Sequence, residues 1–266
     1  MQTWLKYQLN LFYLALSFFS RLPMPKNVQY SPNKMHRASR YFPLVGWLLA
    51  AILAVVYSVT APIIGTAISL CLLIILGLLM TGALHEDGLA DTFDGFFGGH
   101  TPERKLAIMK DSSIGTYGMC ALVMALLSKF VLLSALAEQN MLIIGLFIAY
   151  PLSRAMAISL VQDMRYVCNP TLKSHSKSDF LSKPFRPSVL SFVLITGAAA
   201  CILLPLLTVI YVLVGCIILR VWLRYWMKKH INGYTGDCLG AAQQLQELLV
   251  YLIILCNVKI HNKTEP

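Results

Sequence analysis

Residues 41–84 read YFPLVGWLLAAILAVVYSVTAPIIGTAISLCLLIILGLLMTGAL, forty-four positions without one Asp, Glu, Lys or Arg. As a single helix this stretch would be about 66 Å long, more than twice the ~30 Å hydrocarbon core of a bilayer. It has to fold back on itself. Pro62 and Gly65 mark the turn and give two spans, near 43–60 and 64–84.

The same reading extends outward. Residues 119–137 form an apolar run interrupted by Lys129, and the polar link Glu138-Gln139-Asn140 leads into a span near 141–161 that contains Arg154. Residues 187–219 are again free of charge, and Pro205 divides them into spans near 188–204 and 206–226. A last segment, 241–258, carries Gln243, Gln244, Gln246 and Glu247, so whether it crosses stays open. Residues 4–19 are apolar apart from Lys6, Gln8 and Asn10, which suits a helix lying on the membrane surface or packed on the bundle.

Charge places the loops. The basic segments are 1–40, 85–117, 162–187 and 220–240, whereas the links near Pro62, Glu138 and Pro205 hold no Lys or Arg. The fold-backs put every basic segment on one side, the cytoplasmic side by the positive-inside rule. The expected architecture is an all-α, polytopic membrane bundle of six to seven transmembrane helices. One domain is expected over residues 1–266, with an interfacial segment (1–40), an acidic loop (85–117) where chemistry is expected, and a second polar loop (228–240).

Composition agrees. Of 266 residues 57% are hydrophobic and 13% charged, with 22 basic against 12 acidic side chains. That is about half the charge of an average soluble domain, too little polar surface for a soluble nucleic-acid binder. The seven cysteines show no CxxC spacing, which argues against a zinc site or a disulfide framework.

Half of the twelve acids lie between Glu86 and Asp111, in HEDGLADTFDGFFGGHTPERKLAIMKD. Asp87, Asp91 and Asp94 fall at i, i+4 and i+7, one face of a helix continuing the preceding span. Carboxylates so close repel one another unless a cation neutralises them. An all-oxygen set suits Mg²⁺, which keeps several waters and bridges phosphates. Thr101-Pro102-Glu103 reads as a helix start, and the short helix it opens, through Met109 and Lys110, would return Asp111 towards the cluster. The glycines and hydroxyls that follow, Ser112 and Gly115 among them, suit phosphate approach. Arg104, Lys110 and the intramembrane Arg154 are candidate phosphate partners, while Lys129 could snorkel. After the sixth span, NGYTGDCLGA (232–241) places Asp237 at a helix start, either as a cap or as a further member of the site.

HEDGLADTFDGFFGG, IMKDSSIGTYG and GYTGDCLGA together resemble the cobalamin synthase family. SFFSRLPMP (17–25), RYFPLVGW (40–47) and YPLSRAMA (150–157) follow that pattern in the same order, so the resemblance covers nearly the whole chain. Glu86 departs from it, standing where an apolar residue is expected. The resemblance implies a Mg²⁺-dependent enzyme of the bacterial inner membrane with its active site facing the cytoplasm. That enzyme joins a corrinoid nucleotide, adenosylcobinamide-GDP, to α-ribazole or its 5′-phosphate and releases GMP. Asp87, Asp91, Asp94 and Glu86 are then the candidate metal ligands, and Asp91, Asp111 and Asp237 the candidate catalytic acids. Lys110, Arg104, Arg154, Ser112 and Gly115 are the candidates for substrate phosphate. Partners are these substrates and the lipid bilayer, with no nucleic acid; a homo-oligomer stays open. Asp91-Thr92-Phe93-Asp94-Gly95 also echoes the opening of CDP-alcohol phosphotransferases, without the rest of their motif. A cation transporter is the rival from another class, but the acids lie at one face rather than at the bilayer midplane.

Overall fold

The computed structural model describes residues 2–167 and 179–264, and among these every regular element is a helix, apart from one isolated bridge between Tyr166 and Tyr234. Cys168 lies outside the described residues. The N-terminal helix α1 (Gln2–Phe19) buries Leu11, Leu14, Ala15 and Phe19 against the bundle while Trp4, Leu5 and Leu9 stay exposed, so it joins packed and surface-lying character. A short α2 (Pro32–Ala38), capped by Ser31, leads into α3 (Phe42–Ile64). Gly65, at φ 82°, ends α3 and starts α4 (Thr66–Thr81), the fold-back expected from the charge-free stretch.

The continuation differs from expectation. The helix does not run on from the second span into the acidic segment: Gly82 (φ 64°) and Ala83 (φ 54°) are both left-handed, and α5 (Leu84–Gly98) leaves α4 at 85°. Glycine takes that conformation freely, whereas alanine takes it at about 1–2 kcal/mol. The backbone N–H of Arg21, beyond the end of α1, donates to Met80 O at 2.6 Å and ties the bend down. α5 therefore turns sharply away from the line of α4 and carries its acids there.

The short α6 (Pro102–Ile108) starts on a Thr101 cap, as its sequence predicts, and α7 (Thr116–Glu138) re-enters the bundle. α8 (Leu142–Ser159) is the central column, with almost every side chain from Leu146 onward buried among α3, α9 and α11. Then come α9 (Pro187–Ala198, extended by a 3₁₀ turn to Leu203), α10 (Leu206–Ile231) and α11 (Gly236–Thr264). Among the described residues, five helical segments are long and apolar enough to cross a membrane, six if the bent α4–α5 pair makes one span, with α9 a shorter apolar helix. α11 is among the five; its glutamines and Glu247 turn into the bundle rather than toward lipid. The chain is a multi-pass membrane protein.

Candidate active site

α5 and α11 pack so tightly that side chains are excluded between them. A Cβ on Gly88 would overlap the backbone of Asp237, and one on Gly240 would press on His85 and Gly88. This contact brings the start of α11 against the outer face of α5. The turn before α11 is itself pinned: Val167 N donates to Tyr234 O at 2.8 Å and Tyr234 N to Arg165 O at 3.1 Å. Thr235 caps α11, its hydroxyl accepting from Cys238 N at 3.2 Å. Asp237 is thereby relieved of the capping role and faces Asp87 and Asp91.

The result is a trough with Asp87 and Asp91 on one wall, Asp237 on the other and Lys110 over it. Lys110 Nζ donates to Asp237 Oδ2 at 3.0 Å. Burial, then the charges of Asp237 and Asp87, push Asp91 up to about 7. Asp87 is raised too, by burial and then Asp237. Burial works against the charge of Lys110, but Asp237 outweighs it and holds the ammonium above its usual range. Three carboxylates against one ammonium leave an excess of negative charge that a bound cation would relieve. Among the described residues no three His, Cys, Asp or Glu groups form a ready-made metal cage. Mg²⁺ does not need one, since it is commonly held by one or two carboxylates together with substrate phosphates. The donor set fits that ion.

Asp94 is engaged differently from its two neighbours in the sequence pattern. Its carboxylate accepts from Gly115 N at 2.7 Å and from Gly118 N at 2.8 Å, so it caps the start of α7. A Cβ on either glycine would collide with that carboxylate. The Gly115 N–H read as open to phosphate is therefore occupied by a side chain of the protein itself. Asp111 points to solvent and accepts from the backbone and hydroxyl of Ser113, which hold its carboxyl below the ordinary range. The short helix returns Lys110 to the trough rather than Asp111. Arg104 on α6 and Ser112 are exposed beside it.

Two further candidates sit elsewhere. Glu86 is one residue from Asp87 and so about 100° around the helix, and it points inward. Its Oε1 accepts from Gln244 Nε2 at 2.9 Å and lies 3.9 Å from Lys129 Nζ. Arg154 is 1% exposed, donates to Tyr150 O at 2.8 Å and sits over the Phe42 and Tyr150 rings. Both line a cavity inside the bundle together with His85, Lys129, Gln244 and Glu247. Lys129 does not snorkel: it is buried and pairs with Glu247 at 3.0 Å. The sequence signal for this interior cluster was the scatter of polar residues on the last apolar segment.

Comparison with known proteins follows the whole chain. The family model described as cobalamin-5-phosphate synthase matches residues 11–255. The adenosylcobinamide-GDP ribazoletransferase of Pseudoalteromonas atlantica is 56% identical over 255 residues, 96% of this chain and 94% of that protein. The protein of the same name from Vibrio cholerae is 47% identical over 251 residues, covering 94% and 95%. That of Shewanella piezotolerans is 43% identical over 257 residues, covering 96% and 98%. No solved structure matches.

Proposed function

Because this chain belongs to the cobalamin-5-phosphate synthase family, we propose that the trough between α5 and α11 is where it carries out that family's transfer. The chain is an enzyme that joins adenosylcobinamide-GDP to α-ribazole, or to α-ribazole 5′-phosphate. In the reaction we propose, the ribazole hydroxyl attacks the corrinoid-linked phosphorus, the bond to the GMP oxygen breaks, and the hydroxyl proton passes to a carboxylate. The observation that carries the assignment is the meeting of acids from two helices, Asp87 and Asp91 against Asp237, with Lys110 bonded to the last.

In-line displacement at phosphorus needs groups at both the attacking and the leaving oxygen. One helix face cannot surround both; two facing walls can. Asp87 and Asp91 would hold Mg²⁺, which would neutralise charge developing on the leaving GMP. Asp237, on the opposite wall, would take the hydroxyl proton. Lys110 would exchange its bond to Asp237 for one to the substrate pyrophosphate, with Arg104 on the adjoining helix as a second cation. The Lys and Arg of the flanking segments support a cytoplasmic position for this face, in a protein of the bacterial inner membrane.

The test is GMP release from adenosylcobinamide-GDP by the purified, detergent-solubilised protein with α-ribazole. Asp91→Asn is expected chiefly to raise the Mg²⁺ requirement. Asp237→Asn is expected to lower turnover at saturating Mg²⁺ by about a hundredfold. Normal turnover per folded molecule in both variants would remove the trough from the reaction.

A further inference from the structure

We propose that Lys129, buried in α7, is a positioning residue for the active site: it locks the rotation of α5 against α11 and so fixes how Asp87 and Asp91 face Asp237. The proposal rests on the trough being the reaction site.

The geometry is a closed polar network. Lys129 Nζ reaches Glu247 Oε1 of α11 at 3.0 Å, Gln244 Oε1 of α11 at 3.4 Å and Glu86 Oε1 of α5 at 3.9 Å. Gln244 Nε2 bridges to the same Glu86 oxygen at 2.9 Å and to Gln243 Oε1 at 2.9 Å. Gln243 Nε2 in turn donates to Glu247 Oε2 at 2.6 Å and to Ser153 Oγ of α8 at 3.0 Å. Four helices are thus joined, and each charged member is almost wholly buried, Lys129 and Glu86 at 6% exposure, Glu247 and Arg154 at 1%.

Such a network is a poor source of stability, because desolvation cancels most of the attraction. What it provides is a single arrangement. Glu86 and Asp87 are consecutive on one helix, so any rotation of α5 that turned the acids of the trough would also pull Glu86 from Lys129 and Gln244. Lys129 lies thirteen residues into α7, about 20 Å from its start, and Glu247 lies ten residues beyond Asp237, about 15 Å along α11. The contact of Gly88 and Gly240 fixes the approach of the two helices beside the trough. Lys129 adds a second point of constraint further along α11, so that a turn of α5 is resisted at two levels. A displacement of about 1 Å in catalytic groups costs on the order of a hundredfold in rate, so the constraint is worth holding.

The experiment uses the full-length protein in detergent. Glu86→Gln/Lys129→Met removes one charge of each sign and leaves Glu247 facing Arg154, so it is expected to fold, with a thermal midpoint near the wild-type value. Its kcat is expected to fall about tenfold or more, with the KM for adenosylcobinamide-GDP within about threefold. Lys129→Arg is expected to restore most of the rate. At one sub-saturating Mg²⁺ concentration, adding Asp91→Asn to the double variant is expected to cost clearly less than the same substitution costs the wild type, as for groups acting through one another. Wild-type kcat in the folded double variant would overturn the proposal, as would losses that multiply with Asp91→Asn. If the double variant does not fold, Glu86→Gln alone decides by the same kcat criterion. Normal turnover in Asp91→Asn and Asp237→Asn is a different result: it removes the trough reading and takes the proposal with it.

Discussion

α5 carries two acids side by side, and they live in opposite surroundings. Asp87 faces the trough, where three carboxylates share one ammonium and burial raises the pKa of Asp87 and of Asp91. Glu86 faces the interior, where two acids meet two bases and hydrogen bonds join all but a few of the polar atoms. Where opposite charges are equal in number and enclosed, they hold helices in one arrangement. Where one sign is in excess and half open, the protein has left room for charge brought by something else. The contrast supports the proposed division, structure for the first group and chemistry for the second, although both contain residue types that adjacency in sequence groups together.

The largest effect should come from unbalancing the interior. Lys129→Met alone leaves Glu86 and Glu247 without the cation that both approach, and is expected to cost about 3–5 kcal/mol. Thermal unfolding of the solubilised protein would show it, and a midpoint close to wild type would mean that the network is not the closed unit described.

A smaller loss tests the division within α5 itself. Asp94→Asn keeps one acceptor oxygen for the two N–H groups of Gly115 and Gly118, and should cost about 1–2 kcal/mol of stability. The Mg²⁺ dependence of turnover should stay unchanged once corrected for folded protein. A marked rise in the Mg²⁺ requirement would return Asp94 to the metal-binding group.

A further effect concerns protons. Asp91 binds its proton more tightly in the folded state, near 7, than its ordinary value of 3.8. Between those two pH values the folded chain holds a proton that the unfolded chain has released. The Asp91 contribution to stability therefore falls as pH rises from about 4 to about 7, and levels off above that. In metal-free protein the thermal midpoint should decline across this window, with the decline reduced in Asp91→Asn. An unchanged slope in that variant would show that Asp91 does not carry the shift.

The spans were legible because charge-free runs longer than a bilayer must turn, and Pro62, Gly65 and Pro205 mark where. The bend at Gly82-Ala83 was not, since a left-handed alanine leaves no compositional trace. Asp87, Asp91 and Asp237 could be singled out from spacing and from the scarcity of acids. Glu86 was grouped with them because adjacency in sequence hides the 100° that separates neighbours on a helix. Asp94 shares their face, and only the approach of Gly115 and Gly118 from a later helix explains why its oxygens are taken. The polar residues of α11 read as a weakness in a span; their partners are scattered over α5, α7 and α8, beyond the reach of local pattern. Relatives fixed the activity, and geometry sorted its candidate residues.

The central claim is that the trough, and not the interior cluster, is the cation-binding group of this protein. Electron paramagnetic resonance of Mn²⁺, used in place of Mg²⁺, measures binding without any turnover. The account predicts a saturable Mn²⁺ site in the wild type that Asp91→Asn weakens about tenfold or more, as expected for loss of a charged ligand, while Glu86→Gln shifts it little. Equal Mn²⁺ binding by wild type and Asp91→Asn, or loss of the site in Glu86→Gln alone, would contradict it.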